Sequence, residues 1–101
     1  VGASDFIEYA ENPILTEAFA QATEEARYSF GHAGYTGTIA EKGSVVRVSS
    51  PLSEDDAVAL ANKMLSEDDE RISDKWGPAG AIPVERDGQT VGWVFFGWAS
   101  A

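Results

Sequence analysis

The residues best suited to chemistry lie in Gly31-His32-Ala33-Gly34-Tyr35-Thr36-Gly37-Thr38-Ile39-Ala40-Glu41-Lys42. Here glycines recur every third residue around the chain's single histidine, a tyrosine and two threonines. Each glycine adds chain entropy that folding must remove, so such a segment contributes little stability to a small domain. Costly backbone interleaved with hydrogen-bonding side chains marks a place where something approaches the main chain closely. Three readings are open. In a ligand loop, successive N–H groups turn towards an anion while Gly34, Tyr35, Thr36 and Thr38 shape a pocket. In a catalytic loop, His32 is a base and Glu41 its orienting carboxylate. In a structural turn, the glycines stop a helix and bend the chain, with Tyr35 and Ile39 packed inward. No Gly-Lys-Ser or Gly-Lys-Thr closes the segment, and it follows a helix rather than a strand, which excludes a Walker loop and a dinucleotide fingerprint.

Asp74-Lys75-Trp76-Gly77-Pro78-Ala79-Gly80 is a second loop of interest. An exposed Trp76 would stack on a flat ring while Lys75 holds a negative group nearby; the alternative is a tryptophan plugging the end of the core. Basic residues are scarce, so any that converge on a cleft would dominate its electrostatics. Arg47 lies between Val46 and Val48 with its side chain on the opposite face, and together with Lys42 it is the best choice for a phosphate or carboxylate contact. The ligand-binding set expected from sequence is therefore His32, Gly34, Tyr35, Thr36, Thr38, Lys42, Arg47, Lys75 and Trp76.

Other chemistries find no support. The chain has no cysteine, which excludes disulfides, thiolate metal sites and cysteine nucleophiles. One histidine leaves a transition-metal site without ligands at recognisable spacing. Asp55, Asp56, Asp68 and Asp69 match no calcium-loop pattern and read as solvated acids. No Gly-x-Ser-x-Gly elbow is present. No metal, cofactor or catalytic residue is expected.

Seventeen acids against seven bases give a formal charge of −10. Bare nucleic acid and anionic membrane are unsuitable partners for such a chain. The acids either keep helix faces and turns soluble or form a surface that imitates nucleic acid and complements a basic protein. No apolar run approaches the roughly 18 residues of a membrane span. Val1-Gly2-Ala3-Ser4-Asp5 lacks the basic start and apolar stretch of a signal peptide, so a cytoplasmic protein is expected. At 44% apolar, residues 1–101 are expected to form a single globular domain.

The elements that must position these residues follow from periodicity. Asp5–Ala10 reads as a strand broken by Asn12-Pro13. Leu15, Ala18, Phe19, Ala22 and Ala26 mark one stripe of a helix, capped by Asn12 or Thr16 and ended by Gly31. Thr36–Lys42 and Ser44–Ser49 read as extended, either a hairpin about Lys42-Gly43 or one bent strand. Ser53 ahead of Glu54, Asp55 and Asp56 caps a second helix with the stripe Ala57, Leu60, Ala61, Met64 and Leu65. Asp87-Gly88 suits a type I′ turn between strands at residues 81–85 and 90–99. In the last strand Trp93 and Phe95 face one side, and Val94, Phe96 and Trp98 the other. Both sides call for burial, so a central strand or a subunit contact is expected. The expected fold is α+β: two helices on one face of a mainly antiparallel four- to five-stranded sheet, a ferredoxin-like variant, with homo-oligomerisation covering the other face.

The histidine-glycine-tyrosine segment and the lysine-tryptophan-glycine-proline loop resemble those of small bacteriophage-encoded proteins, over roughly residues 2 to 80. No established activity comes with this resemblance, and it assigns no functional residue. It implies a binding role. One class of such proteins captures nucleotide signals of bacterial immunity; another is acidic and occupies the binding surface of a host protein. The leading expectation is a non-enzymatic, oligomeric protein that sequesters a small nucleotide-like ligand. An acidic inhibitor of a host factor and a small enzyme using His32 and Glu41 are the alternatives.

Overall fold

The computed structural model describes residues 2–32 and 34–101; Val1 of the N-terminal reading and Ala33 of the glycine segment lie outside the described residues. The order is β1 (Ala3–Ala10), α1 (Leu15–Phe30), a 3-10 turn (Ile39–Glu41), β2 (Val45–Arg47), α2 (Glu54–Ser66), β3 (Ala79–Arg86) and β4 (Gln89–Ser100). The fold is α+β, with two helices packed against a four-stranded sheet of order β1-β4-β3-β2. β4 runs antiparallel to both β1 and β3, whereas β2 and β3 are parallel. Parallel neighbours need a crossover connection, and α2 supplies it.

Within this variant of the ferredoxin-like plan, the one-face placement of the helices is corrected. Ala18, Ala22 and Ala26 of α1 pack with Phe6, Ala10, Ala81, Trp93 and Phe95. Ala57, Ala61, Met64 and Leu65 of α2 pack with Ile82, Val84, Val94 and Phe96. Side chains alternate along a strand, so from Trp93 onwards odd and even residues of β4 serve different cores, and the sheet lies between the helices. The cause is β4 itself. Phe95 and Phe96 are both fully buried, and burial of each stabilises by about 1.5–3 kcal/mol, which one-sided cover would forfeit for one of them. Each face of β4 is covered within a single chain, so its second apolar face does not call for another copy.

Local signals explain most boundaries. Ser53 caps α2 by accepting from the Asp56 N–H at 3.2 Å. Gly31 ends α1 with φ +87°, its N–H donating to the Arg27 carbonyl. At the start of α1 the cap residue is Ile14, not Asn12 or Thr16; Asn12 Oδ1 instead accepts from the Ile14 N–H at 2.9 Å, just ahead of the helix. Asp87 and Gly88 both have positive φ, +54° and +77°, as a type I′ hairpin requires. The extended reading of Thr36–Lys42 fails: Thr38 caps the 3-10 turn there, and no hairpin forms at Lys42-Gly43. Only Val45–Arg47 enters the sheet, beside β3.

Candidate functional site

The two loops singled out in the sequence meet at one end of the sheet. The Gly37 N–H donates to the Ser100 carbonyl at 2.8 Å, docking the glycine segment on the end of β4. A Cβ at Gly37 would lie 3.0 Å from Ser4 Cβ and 3.3 Å from Ala101 Cβ, at a φ of +71°. Only glycine fits there without strain.

Glu41 gathers the bend. Its Oε2 accepts from the Thr36 N–H at 3.2 Å and the Thr36 hydroxyl at 2.7 Å. Thr36 and Thr38 hydroxyls are 2.8 Å apart. Thr36 spends its only proton on the carboxylate, so Thr38 is the donor between them, while its oxygen accepts from the Ala40 N–H. The two threonines are thus committed to holding the loop's shape.

Lys42 gathers the other loop. Only 4% exposed, its Nζ donates to the carbonyls of Asp74 (3.3 Å), Lys75 (3.2 Å) and Gly77 (2.9 Å). Burial pushes the ammonium's pKa down from its ordinary value, and the Asp74 charge opposes that. An ammonium has three protons, and these carbonyls take all of them. Lys42 is a tether for the tryptophan loop rather than an anion contact.

Between the tethers stand two exposed aromatics. Tyr35, at φ +56°, is 58% exposed and Trp76 is 66% exposed. Their rings meet edge to face with centroids 6.2 Å apart. Tyr35 is therefore not packed inward, although Ile39 is fully buried. Lys75 Nζ lies 5.4 Å from the Trp76 ring centre and donates to the Gly2 carbonyl at 3.2 Å.

Beside Tyr35 the glycine bend and the end of α1 enclose a cleft of about 180 Å³, lined by Arg27, Gly31, His32, Gly34, Ala40 and Glu41. Glu41 Oε2 is occupied, whereas its Oε1 makes no hydrogen bond among the described residues. Arg27 makes no ion pair among the described residues. No hydrogen bond joins His32 to Glu41, so the base and orienting carboxylate of the catalytic reading are not coupled. No group of three metal-ligating side chains occurs among the described residues, and no described helix is long and apolar enough to cross a membrane.

Of the nine residues expected from sequence, His32 and Gly34 line the cleft, Tyr35, Lys75 and Trp76 form the aromatic platform, and Thr36, Thr38 and Lys42 build the scaffold. Arg47 is elsewhere. Its side chain does lie opposite Val46 and Val48, but it sits 5.8 Å from the Trp93 ring centre and donates to the Ser49 carbonyl. The sheet register explains this: Arg47 pairs with Ala81, further along β3 than the tryptophan loop that enters at Ala79. Arg27 was missed as a site residue. Its signal was the four-residue step to the helix-ending Gly31, which places it one turn back on the same side of α1. Compared with known protein families, curated proteins and solved structures, the chain matches none.

Proposed function

We propose that this protein is a non-enzymatic binding protein that sequesters a small nucleotide-like ligand at the end of the sheet carrying Tyr35 and Trp76. The observation that carries this reading is the exposed aromatic pair, contributed by two loops and pinned from behind by Lys42 and Glu41. Large aromatics left in water are costly unless they meet a partner, and a rigid pair loses little entropy on binding. A flat ring stacks on this platform. The neighbouring cleft supplies the complementary polar set: Arg27 and His32 for an anionic group, and Glu41 Oε1 as acceptor for a hydroxyl. That combination matches a ribose phosphate better than an anion alone, because Glu41 and the carbonyl end of α1 disfavour unrelieved negative charge. At about 180 Å³ the cleft takes one such group, not a whole nucleotide, whose ring remains outside on the platform.

Isothermal titration against cyclic nucleotides and ADP-ribose derivatives tests the reading; the resemblance to phage-encoded proteins directs the panel towards immune signals. Binding by a panel member, weakened roughly 5- to 150-fold by Trp76→Ala, is expected from the loss of about 1–3 kcal/mol of stacking. Neither heat nor thermal shift with any member would defeat it.

A further inference from the structure

Away from this end, the sheet leaves one long edge open. β1 pairs only with β4, and its register runs without a bulge from Ala3 to Ala10. Gly2 and Ala101 exchange both backbone bonds, at 3.2 and 3.1 Å. In an antiparallel ladder such pairs alternate, so Ser4, Phe6, Glu8 and Ala10 bond inward to β4. The N–H and C=O groups of Ala3, Asp5, Ile7 and Tyr9 therefore point away from the sheet. Among the described residues the only bond recorded to any of them is a long one, 3.5 Å, from Ser4 Oγ to the Asp5 carbonyl.

Edge strands of this length are usually blunted by proline, lysine or a bulge. β1 has none of these; its charged residues are Asp5 and Glu8. The opposite edge, β2, is blunted by its length of three residues. The two faces of the β1 edge differ in chemistry. On the α2 side lie the half-buried Ile7 and Tyr9. On the α1 side Glu8 is close enough to Glu25 for the two charges to raise the Glu8 pKa, an effect second to burial. A second copy fits poorly, because it brings another −10.

We infer that β1 is a docking edge for an extended segment of a basic partner protein, which adds as a fifth strand with apolar residues over Ile7 and Tyr9 and basic residues over Glu8 and Glu25. Main-chain bonds supply affinity and the alternating side chains supply selectivity. An antiparallel guest bonds through the residues directly opposite Ala3, Asp5, Ile7 and Tyr9. Those residues share the α2 side with Ile7, so they are the guest's apolar ones.

The test uses a fluorescent seven-residue peptide of alternating valine and lysine, read by polarisation and by backbone NMR of the full chain. Binding with shifts centred on the amides of Ala3, Asp5, Ile7 and Tyr9 is expected. N-methylation of the valines should abolish it, while N-methylation of the lysines should leave it intact; the reverse dependence would indicate parallel addition and still support the edge. Equal behaviour of the two methylated peptides would reduce the interaction to bulk charge and overturn the inference, as would absence of binding. Glu8→Gln with Glu25→Gln should weaken binding roughly 2- to 30-fold through the loss of one cross-strand charge pair, at Glu8, and one surface pair from α1, at Glu25. Removing that repulsion should not unfold the chain, so a circular dichroism melt separates lost contact from lost fold. Unchanged affinity in the folded double variant counts against the charge assignment and with it the basic partner. A dimer in sedimentation, joined through β1 and not displaced by the peptide, would overturn it in favour of self-pairing.

Discussion

Lys42 shows how residue type and residue role separate. A lysine in an acidic chain looks like an anion contact, yet its ammonium is buried under three carbonyls of the tryptophan loop. Lys42→Met should cost about 1.5–3 kcal/mol in urea unfolding, because three loop carbonyls lose a charged donor. The Gly77 amide, whose own bond to the Asp74 carbonyl depends on that loop's shape, should exchange faster. A surface counterpart is Asp69, held by the Arg71 guanidinium at 2.9 Å and lowered to about 2 by those hydrogen bonds. Its folded pKa is depressed, so its small contribution is present above the ordinary value of 3.8 and is lost as pH falls through about 2. An NMR titration should find the low midpoint, and Arg71→Ala should return it towards the ordinary value.

Among the elements, β4 organises the rest. It lies between two other strands and between two helices, and its aromatic residues need space that neighbouring strands provide through glycine. The Phe96 ring covers Gly80, where a Cβ would come within 2.4 Å of ring carbons. Gly80→Ala should therefore destabilise by about 1–3 kcal/mol through overpacking, measured by thermal or urea melts. Gly88→Ala is a useful contrast. There a Cβ meets open space but must adopt φ +77°, so its cost is backbone strain alone, about 1–2 kcal/mol.

For the molecule as a whole, charge is the dominant non-specific property. At −10 the folded state carries net self-repulsion, and the described residues contain two salt bridges, both on the surface. Surface pairs of this kind contribute little. Screening should therefore relieve more repulsion than it removes attraction, and the thermal midpoint should rise as sodium chloride is increased from roughly 10 mM to 500 mM, where the Debye length falls to a few ångströms. A midpoint that falls with salt would mean that attractive pairs outweigh the net charge.

Periodicity and punctuation determined the local structure of this chain. The alanine stripe and Gly31 defined α1, Ser53 and its acids defined the start of α2, and Asp87-Gly88 defined the hairpin. These signals act within a few residues, so they are legible without a fold. The alternation of Trp93 to Trp98 also announced a strand buried on both sides. What covers those sides is a tertiary matter, because a second subunit and a second helix satisfy the same apolar pattern; here α1 and α2 take one face each. The tertiary structure likewise separated the candidate site residues. Loop docking at Ser100 brought Tyr35 to Trp76, burial turned Lys42 into a tether, and the β2–β3 register carried Arg47 away to Trp93. Each of these outcomes depends on contacts between distant residues, which residue type and spacing leave undetermined.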